Sequence, residues 1–478
     1  MITSVIFNKQ ISYPDSREFF SPSECYPEYQ FKHTASRPNL VYRTVRECLL
    51  KGGLDKFNVG KASWNPLRYL IPEGSSVFVL CNFVYHKRPY ESWSDFYAKC
   101  THGSVLRAVI DYILLAVGET GNVKFGNAPV QSCNWDRILE ETGAAKVSEF
   151  YNKDGRFSVE SSDLRSHVVV RHLLGGITKI DNLKEQNEVV VDLGKDSLLE
   201  ELYTLKNDPK FRIMDYSPNI TTLYHDKSRH VYIFNKEILE ADIIVSIAKL
   251  KTHEKAGVTL GIKSSVGGIA HKHCLAHYRL GCPKNGGDEY QNGQLINWIE
   301  SELAEYARSR ANRRTNNVIG IVLFMLRKIM RRGLRRNVGG GWHGNDTTWR
   351  MGMDIARILK NADNNGTLCD AECRKIIEFI DGIISGEGDG PLSPKARRHG
   401  FLSYSDDLAC GDFVAACFMG LNPEEYPILR EAFHLPTYPL TNAGIHEIKA
   451  IVNGLVYNHD KLTSLVITPF RLPPGWAK

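Results

Sequence analysis

SSVFVLCNFV at residues 75–84, VLRAVIDYILLAV at 105–117 and NVKF at 122–125 make up the most telling stretch of this chain. The first run is apolar and β-branched, of strand length, and opens after Gly74. In the second, Val105, Leu106, Val109, Ile110, Ile113 and Leu114 share one face at helical spacing, behind Ser104 and ahead of Gly118 and Gly121. Strand, helix, strand over this distance is a βαβ unit with a right-handed crossover. Outward from it, strands are expected at 167–170, 188–192, 230–235 and 243–247. The last of these, IIVSI, is continuously apolar, as in a parallel strand covered on both faces. A helix is expected at 351–359, a segment at 376–384 leading into a glycine-rich loop, and a final strand at 465–468. The expected class is α/β: a mostly parallel central sheet with flanking helices and an inserted basic helical segment. The expected parts are an N-terminal extension over 1–70, an α/β body over 70–290 and 341–478, and an insertion over 291–340.

With 478 residues, 42% of them hydrophobic and 24% charged, the chain can bury a large core. That excludes a collagen, a mucin or a disordered tail. The start, MITSVIFNKQISYP, lacks the basic, apolar and small-residue parts of a secretory signal. The longest apolar run, at 318–326, falls far short of the roughly 20 residues a spanning helix needs. A soluble, cytoplasmic protein is expected. The eleven cysteines are odd in number, so reduced thiols are expected over a disulfide framework. No C-x2-C-x2-C run occurs; Cys369 and Cys373 read as ordinary helix cysteines, and no iron–sulfur cluster is expected.

The net charge of +6 is uneven. Residues 306–345 hold no acid and ten basic residues from Arg308 to Arg336, which leaves −4 for the rest. A basic stretch flanking VIGIVLFML suits peripheral contact with an anionic membrane; a solvated helical hairpin is the alternative. Without a nucleic-acid motif, no nucleic-acid partner is expected.

Four constellations carry chemistry. AKLKTHEK at 248–255 follows a strand, where open α/β sheets build their ligand crevice. Lys249, Lys251, His253 and Lys263, with Gly257, Gly261, Gly267 and Gly268, make a cationic, glycine-rich mouth for phosphate or carboxylate; a basic surface loop is the alternative. His271, His273, His277 and Arg279, ahead of Asp288 and Glu289, are the second set, fit for acid–base work or a divalent metal. Trp342, Asn345, Asp346, Trp349 and Arg350 resemble a platform for a sugar or planar group, or else a helix start with its tryptophans in the core. Asp381, Glu387 and Asp389, interleaved with glycines, read as a flexible acidic loop whose oxygens suit Mg²⁺, or as a plain turn. The expected catalytic groups are Lys251, His253, Lys263 and Glu387. The expected substrate is a small anion, phosphorylated or sugar-linked.

These segments together resemble the family called domain of unknown function 362. The carriers are ADIIVSIAKLKTHEKAGVTLGIKSSVGG, HYRLGCPKNGGDEY, GWHGNDTTWRMGMDIARIL and DGIISGEGDGPLSP, with VFVLCNFV, FGNAPVQ and PFRLPPGW fitting at either end. The version with HYRLGCP and GNDT-x-WR is similar to members found among surface-polysaccharide biosynthesis genes, which implies a pathway and not a reaction. The resemblance adds Asn82 and Asn127 to the substrate-binding set of Lys249, His277, Arg279, Trp342, Asn345, Asp346 and Arg350. Cys81, Asn127 and Ser264 depart from the family's usual proline, aspartate and asparagine. His253, Lys263 and His277 also resemble the core of the lactate racemase family, which implies an isomerase whose lysine anchors a nickel cofactor. A non-catalytic scaffold at the membrane surface is the other reading.

Overall fold

The computed structural model describes residues 1–171, 177–182, 187–204, 208–213, 218–291, 295–309 and 338–476. At its centre lies a ten-stranded sheet. Its strands are β1 (Thr3–Phe7), β2 (Ser76–Cys81), β3 (Asn122–Asn127), β4 (Ser158–Asp163), β5 (Ile243–His253), β6 (Gly257–Val258), β7 (Lys375–Asp389), β8 (Ser393–Ser405), β9 (Lys449–Val452) and β10 (Leu455–Asn458). Across the sheet the order is β10–β9–β1–β8–β7–β5–β2–β3–β4, with β6 folded back on the end of β5. The block β4–β3–β2–β5–β7 is parallel throughout, and β8 turns back between β7 and β1.

The helices that matter here are α1 (Leu40–Lys51), α2 (Trp93–Lys99), α3 (Gly103–Val117), α4 (Leu260–Ser264), α5 (Leu295–Ser309), α6 (Thr348–Asn361) and α7 (Leu408–Phe418). Successive strand residues point to opposite faces. Val77, Val79, Val245, Ile247 and Phe379 therefore pack with α1 and α3, while Phe78, Leu80, Ile244, Ala248 and Ile380 pack with α6 and α7. β5 is buried along its whole length, as a central parallel strand must be. β2 and β3 pair in parallel with α3 between them in sequence, as the βαβ reading requires. α3 is apolar nearly all round because nearly every residue of it is buried. Among the described residues only 93–117 is long and apolar enough to cross a membrane, and it is 94% buried in the fold.

Four expectations are corrected. Residues 248–253 are not a loop after the strand but its continuation, paired on both sides because β7 and β6 extend alongside. The acidic segment from Asp381 to Asp389 is the second half of β7, laddered to β8 from residue 393 onward. Residues 465–468 form no strand; the sheet ends instead in the β9–β10 hairpin. Cys369 and Cys373 sit outside any helix, in the segment between α6 and β7. The N-terminal residues supply β1, which lies inside the sheet between β8 and β9. Of the expected basic insertion, α5 and residues 338–340 are seen, and 310–337 lie outside the described residues.

Candidate functional site

From β2 the chain steps outward to β3 and β4, then returns to the other side of β2 as β5. Connections leave β2 and β5 in opposite directions, which opens a crevice at their carboxyl ends. Asn82 stands just past the end of β2, and Lys249, Lys251 and His253 are alternate positions at the end of β5.

Lys249 and Asp381 are register partners on adjacent strands and form a fully buried ion pair of 2.9 Å. The Tyr13 hydroxyl completes a triad: it donates to Asp381 Oδ1 at 2.6 Å and accepts from Lys249 Nζ at 2.7 Å. Its ring stacks on His102 with centroids 3.9 Å apart. Beyond this pair the ladder is bulged, and Lys251 comes opposite Gly386. Bulges re-aim side chains beside functional sites. Lys251 Nζ donates to Asn82 Oδ1 (2.5 Å) and to the Lys99 carbonyl (2.6 Å), while Asn82 Nδ2 donates to Ser264 Oγ (2.9 Å). Burial, reinforced by Lys249, Lys99 and Lys263, brings the Lys251 ammonium down to about 7.

Lys263 sits on the short helix α4. Asp412 of α7 accepts from Gly261 N (2.6 Å) and Ile262 N (2.8 Å) and so holds the start of this helix. A Cβ at Gly261 would lie 1.8 Å from Glu378 Oε1 and 2.5 Å from Leu408 Cδ1, so both side chains would have to move to admit it. Burial pushes the Glu378 carboxyl well up and Asp412 to about 7, so this pair keeps a proton. Lys263 itself is 7% exposed, and its amine has no hydrogen bond or ion pair among the described residues. Burial and Lys255 bring it down to about 8. Burial lowers His253 and His277 well below the usual imidazole value, and Lys263 is the largest charge acting on each. Lys272, brought down to about 7 by burial, completes the cluster. Among the described residues none of Lys251, Lys263, Lys272, His253 or His277 has a carboxylate within ion-pair distance.

The Trp342–Arg350 motif frames this cluster. Asn345 Nδ2 donates to the carbonyls of His277 (2.9 Å) and Gly340 (2.8 Å), and its Oδ1 accepts from Thr347 N and Thr348 N at the start of α6. Trp342 and Trp349 are buried, with their ring N–H groups on the Asp288 carbonyl and on Asp346. Arg279 pairs with Asp288 (3.3 Å), and Arg350 with Asp346 (3.2 Å) and Glu201. Gly352 of α6 lets the Lys263 chain run past at close range. Asn127, at the end of β3, donates to the Phe83 carbonyl (2.9 Å), and its buried Oδ1 has no partner among the described residues.

The structure thus brings together Asn82, Lys251, His253, Lys263 and His277, with Lys249 alongside. It does not gather Asp381, Glu387 and Asp389. Asp381 serves Lys249, Glu387 pairs with Arg397 (3.3 Å), and Asp389 is exposed. Among the described residues no group of three or more His, Cys, Asp or Glu is arranged to hold a metal ion. Sequence reasoning missed Tyr13, Lys272, Glu378 and Asp412. Tyr13 lies 236 positions from Lys249, and no local pattern marks any of the four.

No curated protein matches the chain. A family model described as "Domain of unknown function (DUF362)" matches residues 169–417, just over half of the chain. That span holds β5, α4, α6 and β7, and with them Lys249, Lys251, His253, Lys263 and His277. The chain belongs to the DUF362 family.

Proposed function

We propose that this protein is an enzyme acting on a small anionic substrate, phosphorylated or sugar-linked, bound at the carboxyl ends of β2 and β5. One observation carries the reading: the cations Lys251, Lys263 and Lys272 are drawn together beside His253 and His277 in a buried site where, among the described residues, no carboxylate pairs them. Like charges held in low dielectric destabilise one another unless an anion joins them. In this reading Lys251 and Lys263 bind the anion, His253 and His277 move protons, and Asn82 and Asn127 orient polar groups. A place in surface-polysaccharide synthesis suits such a substrate.

Sulfate tests this, because it stays doubly charged across the neutral range. An anion favours the charged lysine, so binding raises the Lys263 value above its empty-pocket value of about 8. Calorimetry in buffers of different ionisation enthalpy is expected to show proton uptake on binding. Affinity should be fullest below about pH 7, where Lys251 and Lys263 are both charged, and fall as pH rises through 7 and past about 8. No binding, or binding indifferent to pH, counts against the reading.

A second reading, peripheral membrane contact, is favoured by α5. That helix buries Asn297, Glu300 and Ser301 and exposes Leu295, Trp298 and Ile299. Its apolar stripe therefore faces outward just ahead of the ten basic residues between 308 and 336. Each basic residue near an anionic surface contributes roughly 1 kcal/mol. Co-sedimentation with phosphatidylserine vesicles is expected, weakened by salt and by Trp298→Ala. Protein left in the supernatant at low salt would sink the idea.

A further inference from the structure

We propose that Lys263 is a nucleophilic amine, forming an imine with a substrate that carries a carbonyl group as well as the anionic group. This rests on the anion-site reading above and extends it from binding to chemistry.

The two central lysines differ in wiring. Lys251 is fully buried and spends two N–H groups on Asn82 Oδ1 and the Lys99 carbonyl, so its amine is tethered. Lys263 keeps 7% of its surface exposed and has no acceptor among the described residues. An amine acts as a nucleophile only when neutral, and desolvation beside other cations is the usual way to make it so. Lys255 and burial supply that environment.

The two histidines are held in complementary tautomers. His253 Nδ1 faces the backbone N–H groups of Lys255 (3.1 Å) and Ala256 (3.3 Å), so Nδ1 accepts and the ring proton is on Nε2. His277 Nδ1 faces the Leu275 carbonyl (3.3 Å), so Nδ1 donates and Nε2 is left as a base. One ring offers a donor and the other an acceptor, and Lys263 is the largest charge acting on both.

In the step itself, the Lys263 Nζ lone pair attacks the carbonyl carbon and the C=O pair moves to oxygen, which the His253 Nε2–H stabilises. His277 Nε2 takes one proton from the new ammonium and passes it to that oxygen, giving the carbinolamine. The nitrogen lone pair then expels hydroxide. Hydroxide receives the remaining nitrogen proton through His277 and leaves as water. The balance is carbonyl plus amine to imine plus water, with no oxidant or reductant.

The test is borohydride trapping on the intact protein with two probes, pyridoxal 5′-phosphate and phosphate-free pyridoxal, read by peptide mass spectrometry with and without sulfate. At pH 8 roughly a hundredfold more of Lys263 than of a surface lysine is neutral. Limiting pyridoxal phosphate is therefore expected to label the Lys263 peptide at least about tenfold over exposed lysines, with protection by sulfate. Lys263→Arg should lose that label, and calorimetry on the parent protein reads sulfate binding beside it. Labelling spread over surface lysines while sulfate binds overturns the nucleophile and leaves the anion site standing. Equal labelling of Lys263 by both probes, unprotected by sulfate, overturns the anion reading and with it the proposed substrate class.

Discussion

Lys263→Met is expected to lower sulfate affinity by roughly 10- to 100-fold while making the empty protein harder to unfold. The loss follows from removing a charge-assisted hydrogen bond, which contributes about 1.5–3 kcal/mol. The gain follows from deleting an ammonium that has no partner in the folded state among the described residues. The sign with pH can be worked out. Folding lowers Lys263 from the usual 10.5 to about 8, so between those values the unfolded chain binds more protons and stability of the parent protein rises with pH. The penalty is complete below about 8 and relieved towards 10.5, so the advantage of the variant should be largest at neutral pH and fade in alkali. Urea unfolding at two pH values, beside a sulfate titration, measures both. A residue kept for stability would show the opposite: a variant that unfolds more easily at every pH.

Asp381→Asn is expected to destabilise the fold by about 3–5 kcal/mol, the usual cost of removing one partner from a buried ion pair. Asp381 and Lys249 are both fully buried, and Tyr13 bridges them. Neutralising Asp381 leaves the Lys249 ammonium in the core with only the tyrosine hydroxyl. Lys249→Met should cost a similar amount, and the double variant Lys249→Met/Asp381→Asn should cost clearly less than the two singles added. A double-mutant cycle by urea unfolding checks this. Near-additive losses would mean that the two side chains do not act as a pair. Lys249 differs in this from Lys251, which among the described residues meets only neutral oxygens.

The parallel sheet was legible because its strands carry their own signature. IIVSI and SSVFVLCNFV are continuously apolar, and both became central strands covered on two faces. The ends of those strands were misread. Residues 248–253 and 381–389 are polar and glycine-rich, which locally reads as loop, yet both are strand. The two segments pair with each other across more than a hundred residues, besides their nearer partners β6 and β8, and no local pattern encodes that long-range pairing. The tryptophan motif failed as an open platform for a related reason. Trp342 and Trp349 are themselves buried and bond to Asp288 and to the half-exposed Asp346, and the motif frames His277 instead.

By itself the amino-acid order determined the class of fold, the position of the βαβ unit and the lysine- and histidine-bearing segment at 249–277, since hydrophobic period and residue type are local properties. Only the tertiary structure decided which charges cancel. Lysines two positions apart in β5 met different fates, Lys249 facing a carboxylate and Lys251 facing amides, because a bulge shifts the neighbouring strand between them. Whether a buried cation is neutralised or left to attract a ligand depends on what stands within a few ångströms, and that is set by packing between segments distant along the chain.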